Sequence, residues 1–249
     1  MIEQLEARIA PAAAVTFFEG DGDKITVKTS LGTTADLEAA LAIHNGDMGV
    51  TTIHLDFLTS APIAATFAGT DVTISGSGDG ANFVLINAYN PNDATSIDLG
   101  KVKVKGKLVY CDAGDADLTT LAVKSIDVTT WGPGDGNTGA TPSEIHGNIT
   151  TVKVKDSFNG YIISRDAAGT ANYTSASGTK IGSFSASNIA TQDGNDVGHL
   201  QVQSIGKLTV KDTFFGPVTA VTNCGLIEAG AITSIKIGRM DLSARIVLA

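Results

Sequence analysis

The chain has 249 residues, 43% of them hydrophobic and 17% charged, with a mean hydropathy of +0.15. That is enough apolar material for a sizeable core, and it excludes a disordered chain. The 28 glycines follow no triplet period and are joined by only 6 prolines, which excludes a collagen-like chain, and a net charge of −9 with a pI near 4.8 argues against a nucleic-acid partner, because affinity for phosphate backbones needs clustered Lys and Arg.

In chain order, Ile2, Leu5 and Ile9 fall at helical spacing before Pro11, which predicts a short amphipathic helix in an N-terminal cap segment, residues 1–19. A single domain then runs over residues 20–249. Residues 1–19 hold no continuous apolar stretch behind basic residues, as a signal peptide would. No run of 18 apolar residues occurs anywhere, so no transmembrane segment is expected. A second helix is predicted over Ala35–His44, with Thr34 as N-cap and Leu37 and Leu41 on one face, and no helix is predicted after Gly46. Turns rich in Gly, Asp and Asn fall at 20–23, 76–82, 132–139 and 192–196. Asp outnumbers Glu by 20 to 6, which suits turns better than helices.

Between those turns one phrase recurs, two inward apolar residues around one outward residue, as in GKVKVKG, TTVKVKD, GKLTVKD and TSIKIGR. The apolar pairs are Ile25/Val27, Ile53/Leu55, Val72/Ile74, Val102/Val104, Leu121/Val123, Val152/Val154, Phe184/Ala186, Leu208/Val210 and Ile235/Ile237, spaced on average about 26 residues apart. A short strand cannot bury its apolar face alone, whereas similar strands stacked in register bury theirs on one another. The expected fold is therefore all-β: a parallel β-helix, a β-solenoid of right-handed winding and about nine rungs. A β-sandwich with evenly spaced strands is the alternative, but sandwich strands have no reason to resemble one another.

The opening MIEQLEARIAPAA, through Leu5, Glu6 and Arg8, resembles the short LEPR-XLL tag that begins many large surface or secreted proteins of planctomycetes and verrucomicrobia. Ala7 stands where the tag has Pro, and Ile9-Ala10 replaces its leucine run. The resemblance implies export or surface association, extends to the β-helical repeats found behind such tags, and implies no enzymatic activity.

Chemistry is sparse. No P-loop, GxSxG or dinucleotide fingerprint is present, so no cofactor is expected. His44, His54, His146 and His199 lack the spacing of zinc ligands, and His54 and His199 are expected to face solvent. The acidic turns Asp21-Gly-Asp23, Asp112 to Asp117 and Asp193 to Asp196 fit no calcium loop, so no metal is expected. Polysaccharide-active enzymes on β-helices need carboxylates on adjacent strands, and only Asp56 and Asp71 occupy outward positions beside the apolar pairs. Trp131 is expected as a partly buried ring bracing its loop. Cys111 and Cys224 are expected as two free thiols.

Lysine placement rises above this background. Of 13 lysines, 11 fall in outward positions beside the apolar pairs, against 2 of 20 aspartates. Lys103, Lys105, Lys124, Lys153, Lys155, Lys211 and Lys236 are thus candidate contacts for an acidic polysaccharide, and Lys105, Lys124 and Lys155 are expected to form one column. At the far end, Arg245, Ile246, Val247 and Leu248 form a candidate open strand edge for self-association into an oligomer or filament. The function expected is a non-catalytic structural or binding module of the cell surface or extracellular space. The alternative is a lyase or glycosidase acting on a polysaccharide.

Overall fold

The computed structural model describes residues 12–45, 51–78, 80–90, 95–115, 117–132, 142–164, 178–190, 198–215, 225–241 and 243–248. The predicted N-terminal helix and Cys224 lie outside the described residues. β1 (Ala13–Phe18) and β2 (Lys24–Thr29) form an antiparallel hairpin, followed by α1 (Thr34–Ala40) and a second antiparallel pair, β3 (Leu41–Asn45) with β4 (Thr51–Asp56). After α2 (Ala61–Phe67) come β5 (Val72–Gly76), β6 (Ala81–Asn87), β7 (Leu99–Asp112), β8 (Leu121–Trp131), β9 (Ser143–Ile145) and β10 (Asn148–Val154). The chain continues through β11 (Ser157–Phe158), β12 (Tyr161–Ser164), β13 (Lys180–Ala186), β14 (Asn188–Ile189), β15 (His199–Phe214), β16 (Leu226–Met240) and β17 (Arg245–Leu248).

α1 bears out only the first part of the helix expected over Ala35–His44: its cap is Thr33 instead of Thr34, it ends at Ala40, and Leu41–His44, expected as helix, belong to β3. Thr33 is the N-cap: its hydroxyl accepts from the Asp36 amide at 3.2 Å, and Asp36 accepts from the Thr33 amide at 2.9 Å. The Thr33 amide, together with the Thr33 hydroxyl donating to the same carboxylate at 2.7 Å, holds the Asp36 carboxyl below the usual range. α2 was not expected. Ser60 and Pro62 start it, Ala64 and Phe67 turn inward, and Phe67 meets Phe57 with ring centroids 5.0 Å apart.

From β5 onward one ladder is parallel throughout, in the order β5, β7, β8, β10, β13, β15, β16, with β2 and then β1 added antiparallel before it. Its side chains align in rows. One inward row begins at Ala13 and passes through Thr29, Val72, Val102, Ile126, Val152, Phe184 and Leu208 to Ile235; the neighbouring outward row begins at Ala14 and passes through Lys28, Thr73, Lys103, Asp127, Lys153, Ser185 and Thr209 to Lys236. Val102, Ile126, Val152, Phe184 and Leu208 are all buried, so period-two alternation places the core on one side and the charges on the other.

The parallel β-helix expected from the sequence is corrected at this point. Pairing runs from β8 to β10, β13, β15, β14 and β11 and returns to β8, all in parallel. The result is a closed six-strand parallel barrel with extra strands, with 65% of the described residues in strands and 7% in helices, and not a β-solenoid of nine rungs. The physical reason is strand length. β8 and β15, at 11 and 16 residues, each pair along two separate stretches, and the two-residue strands β11 and β14 bridge their far ends through Phe158 to Trp131 and Ile189 to Phe214.

The nine-copy repeat fails for related reasons. Ile25/Val27 lies on an antiparallel strand, and Ile53/Leu55 pairs with Val84/Ile86 in a different ladder. Leu121/Val123 is out of phase: Ile126/Val128 aligns with Val102/Val104, and Leu121 is 43% exposed. Val104, Val123, Val154 and Val210 are all buried, yet Val123 faces Leu99 and Ile149 instead of joining the row of Val104.

Candidate functional surfaces

On the outward side, the row from Lys28 to Lys236 never sets lysine against lysine. Thr73 separates Lys28 from Lys103, and Asp127 separates Lys103 from Lys153. In the adjoining row Ser125, Thr151 and Ser183 stand between Lys101 and Lys207. The face is therefore an array of spaced ammonium groups among hydroxyls, which limits the like-charge repulsion of directly opposed residues.

The expected column of Lys105, Lys124 and Lys155 does not form. Because β8 is shifted in phase, Lys124 falls level with Gly100 and Thr150. Lys105 reaches across to the turn after β5, its Nζ donating to the carbonyls of Gly76 at 2.7 Å and Gly78 at 3.3 Å. Lys155 lies 3.6 Å from Asp127, with 46% and 34% of the two side chains exposed, a geometry in which an ion pair is worth little. Lys103, Lys153, Lys211 and Lys236 are exposed.

At the end of the ladder, β17 pairs with Leu226–Ala229, the first part of β16. Ile246 and Val247 are half-buried, and Leu248 is 57% exposed. Residues 231–240 pair with β15 on one side, and no described strand meets their other side. Ile232 and Ile237 are partly covered there, while Ile235 is 47% and Met240 44% exposed, although all four align with the buried Ile205, Val210, Leu208 and Phe214 of β15. They are core-side residues with no next strand among the described residues. The sequence pointed to Arg245–Leu248; the longer unpaired stretch lies just before it, and its signal was the apolar spacing of Ile232, Ile235, Ile237 and Met240.

The carboxylates act as structural acceptors. Asp56 aligns with Asn87 and Asn87 with Asp112, whose Oδ1 accepts from the Glu144 amide at 2.8 Å. Asp71 stands elsewhere, accepting from the Lys101 amide at 2.7 Å, so Asp56 and Asp71 do not form an acid–base pair along one row. Burial and the neighbouring Asp115 raise the pKa of Asp98. Glu19, Asp21 and Asp23 bring oxygens within 4.8 Å of one another, but Glu19 accepts from the Asn82 amide and Asp23 from the Ser77 hydroxyl.

Trp131 is fully buried, which removes it as a sugar-stacking platform and exceeds the partial burial expected. The Cys111 thiol is buried and free; burial, reinforced by Asp112, pushes its pKa far above the ordinary range.

His199, expected to face solvent, is instead buried beneath a stacked Tyr161, with ring centroids 4.4 Å apart, and its Nε2 lies 3.0 Å from Glu228 Oε2. Desolvation holds its pKa below the ordinary 6.5, with Glu228 opposing that shift. The folded state thus favours the neutral ring, while the unfolded chain takes up a proton near its ordinary value. The stability contributed is complete above that value and declines as pH falls below it. His199→Gln is therefore expected to flatten the fall in urea midpoint between pH 7.5 and pH 5.5 (about one unit either side of the usual histidine value); an identical pH profile would contradict this.

Compared with protein-family models, curated proteins and solved structures, the chain matches none.

Proposed function

We propose that the chain is a non-catalytic structural module that assembles with further copies of itself through the unpaired side of β16. The observation that carries this reading is the edge at 231–240, with its core-side Ile235 and Met240 exposed. An unpaired strand offers backbone N–H and C=O groups to a second chain, and covering the apolar side chains adds burial to those hydrogen bonds. Placement at the cell surface or outside the cell is part of the proposal and is supported by the tag-like opening segment alone.

Sedimentation velocity over a hundredfold range of protein concentration tests the assembly. The intact chain is expected to associate as concentration rises, and Ile235→Lys with Met240→Lys is expected to remain monomeric. A monomeric intact chain at the highest concentration would overturn the reading.

The spaced lysines support a second activity of the same module, retention of an acidic polysaccharide. Replacing Lys103 and Lys153 with Ser is expected to lower the salt needed for elution from an anionic polysaccharide column, and Asp127→Asn to raise it, because that carboxylate stands between them. Unchanged elution of both variants would leave these lysines as solvated surface groups.

A further inference from the structure

We infer that assembly is head to tail, with β1 of one copy adding in parallel to the outer side of β16 of the next. This rests on the reading of the chain as a self-assembling module and specifies how the copies meet. β1 is antiparallel to β2 and β2 antiparallel to β5, so β1 runs in the same direction as β5 and therefore as β16. The two ends of the ladder can thus meet by simple continuation, without reversing a copy. β1 has one strand partner among the described residues, β2. Its outward end carries Phe18 at 66% exposure, with Val15 and Phe17 only partly covered.

Register supports the same joint. The inward row that ends at Ile235 begins at Ala13, and the outward row that ends at Lys236 begins at Ala14. Continuing both rows into a second copy sets Ile235 against Ala13, Ile237 against Val15 and Lys236 against the small, uncharged Ala14. Apolar residues meet on the core side, and no like charges are opposed.

Charge supports it as well. Residues 13–45 hold five acids, Glu19, Asp21, Asp23, Asp36 and Glu38, against Lys24 and Lys28. The last two strands and their connection hold Lys236, Arg239 and Arg245 against Asp241 and Glu228. The ends are thus opposite in sign, which favours head-to-tail encounter. Two β16 edges meeting in antiparallel would instead gather both sets of Lys236 and Arg239 at one seam.

A heterologous contact of this kind propagates into a filament unless its rotation closes a ring. The test uses the full chain with Cys224→Ser and with Cys111 retained, since its buried thiol is shielded. Ala14→Cys and Lys236→Cys are made singly and together, then treated with a short bis-maleimide under associating conditions. Mixing the two single variants is expected to give a cross-linked dimer, the double variant a ladder of higher species, and Lys236→Cys alone no dimer. A dimer from Lys236→Cys alone would overturn the head-to-tail arrangement and leave self-assembly standing. Association in sedimentation with no cross-link in any variant would do the same. Absence of association altogether would remove the assembly reading and this inference with it.

Discussion

Replacing Trp131 with alanine is expected to cost about 3–5 kcal/mol of stability, the range for deleting a large buried aromatic. The indole is fully buried and meets Phe158 edge-on at 5.7 Å, and Phe158 meets Phe184 in the same way at 5.1 Å. Trp131 also aligns with Phe158 where β11 returns to β8, so the cavity would open where the barrel closes. Gly160 lies close against the indole, where a Cβ would come within 2.7 Å of the ring, leaving little side-chain volume able to collapse into the space. Trp131→Phe is expected to cost less, since it keeps an aromatic edge and removes an indole N–H with no partner among the described residues. Urea unfolding followed by far-ultraviolet circular dichroism measures both. An alanine variant within about 1 kcal/mol of the parent, an ordinary surface-substitution effect, would contradict this packing.

Gly114→Ala is expected to be of similar severity through the backbone. Gly114 has φ +122, a conformation L side chains rarely adopt, and a Cβ there would run into the carbonyl of His146. That carbonyl cannot swing away freely, because the His146 amide donates to Ala113 at 2.9 Å and the Gly114 amide to Ile97 at 3.0 Å. Conformational strain of about 1–3 kcal/mol and overpacking of about 1–3 kcal/mol act together. Gly22→Ala separates the two contributions. Its φ of +93 is also positive, but nothing lies within 4 Å of the added Cβ, so strain alone is felt. Equal losses at both sites would mean that the contact with His146 adds nothing.

The sequence displays much of the strand content and little of the closure. Alternation in Lys101–Lys105 and Thr151–Val154 reveals which residues face inward, because period two is a property of one strand alone. It does not identify the strand on either side. In LAVKSIDV two alternating frames overlap, Leu121/Val123 and Ile126/Val128, and only pairing with Val102/Val104 selects the second. Ring closure depends on the two-residue strands β11 and β14, too short to carry a pattern. α2 escaped notice because APIAATF sits between strands and Pro62 reads equally as a breaker and as a helix first turn.

The candidate surfaces show the same division. The lysines were visible as outward residues, but their spacing by Thr73, Asp127 and Ser185 is a product of register. His199 reads as an outward strand residue, and its burial depends on Tyr161 and Glu228, 38 and 29 positions away in sequence. The apolar spacing of Ile232, Ile235, Ile237 and Met240 marks the core side of β16 in the sequence, but not the stretch that this strand leaves uncovered. Which stretch it leaves is decided by β17 pairing only with Leu226–Ala229.

Hydrogen exchange across 231–240, measured on the intact chain at dilute and at associating concentrations, tests the central claim most directly. In the monomer the outward-facing amides of this stretch have no described strand partner and should exchange far faster than those bonded to β15. The account predicts that association slows these amides selectively, and that the same slowing is absent in the Ile235→Lys, Met240→Lys variant. Association that leaves exchange at 231–240 unchanged while slowing another surface would contradict it.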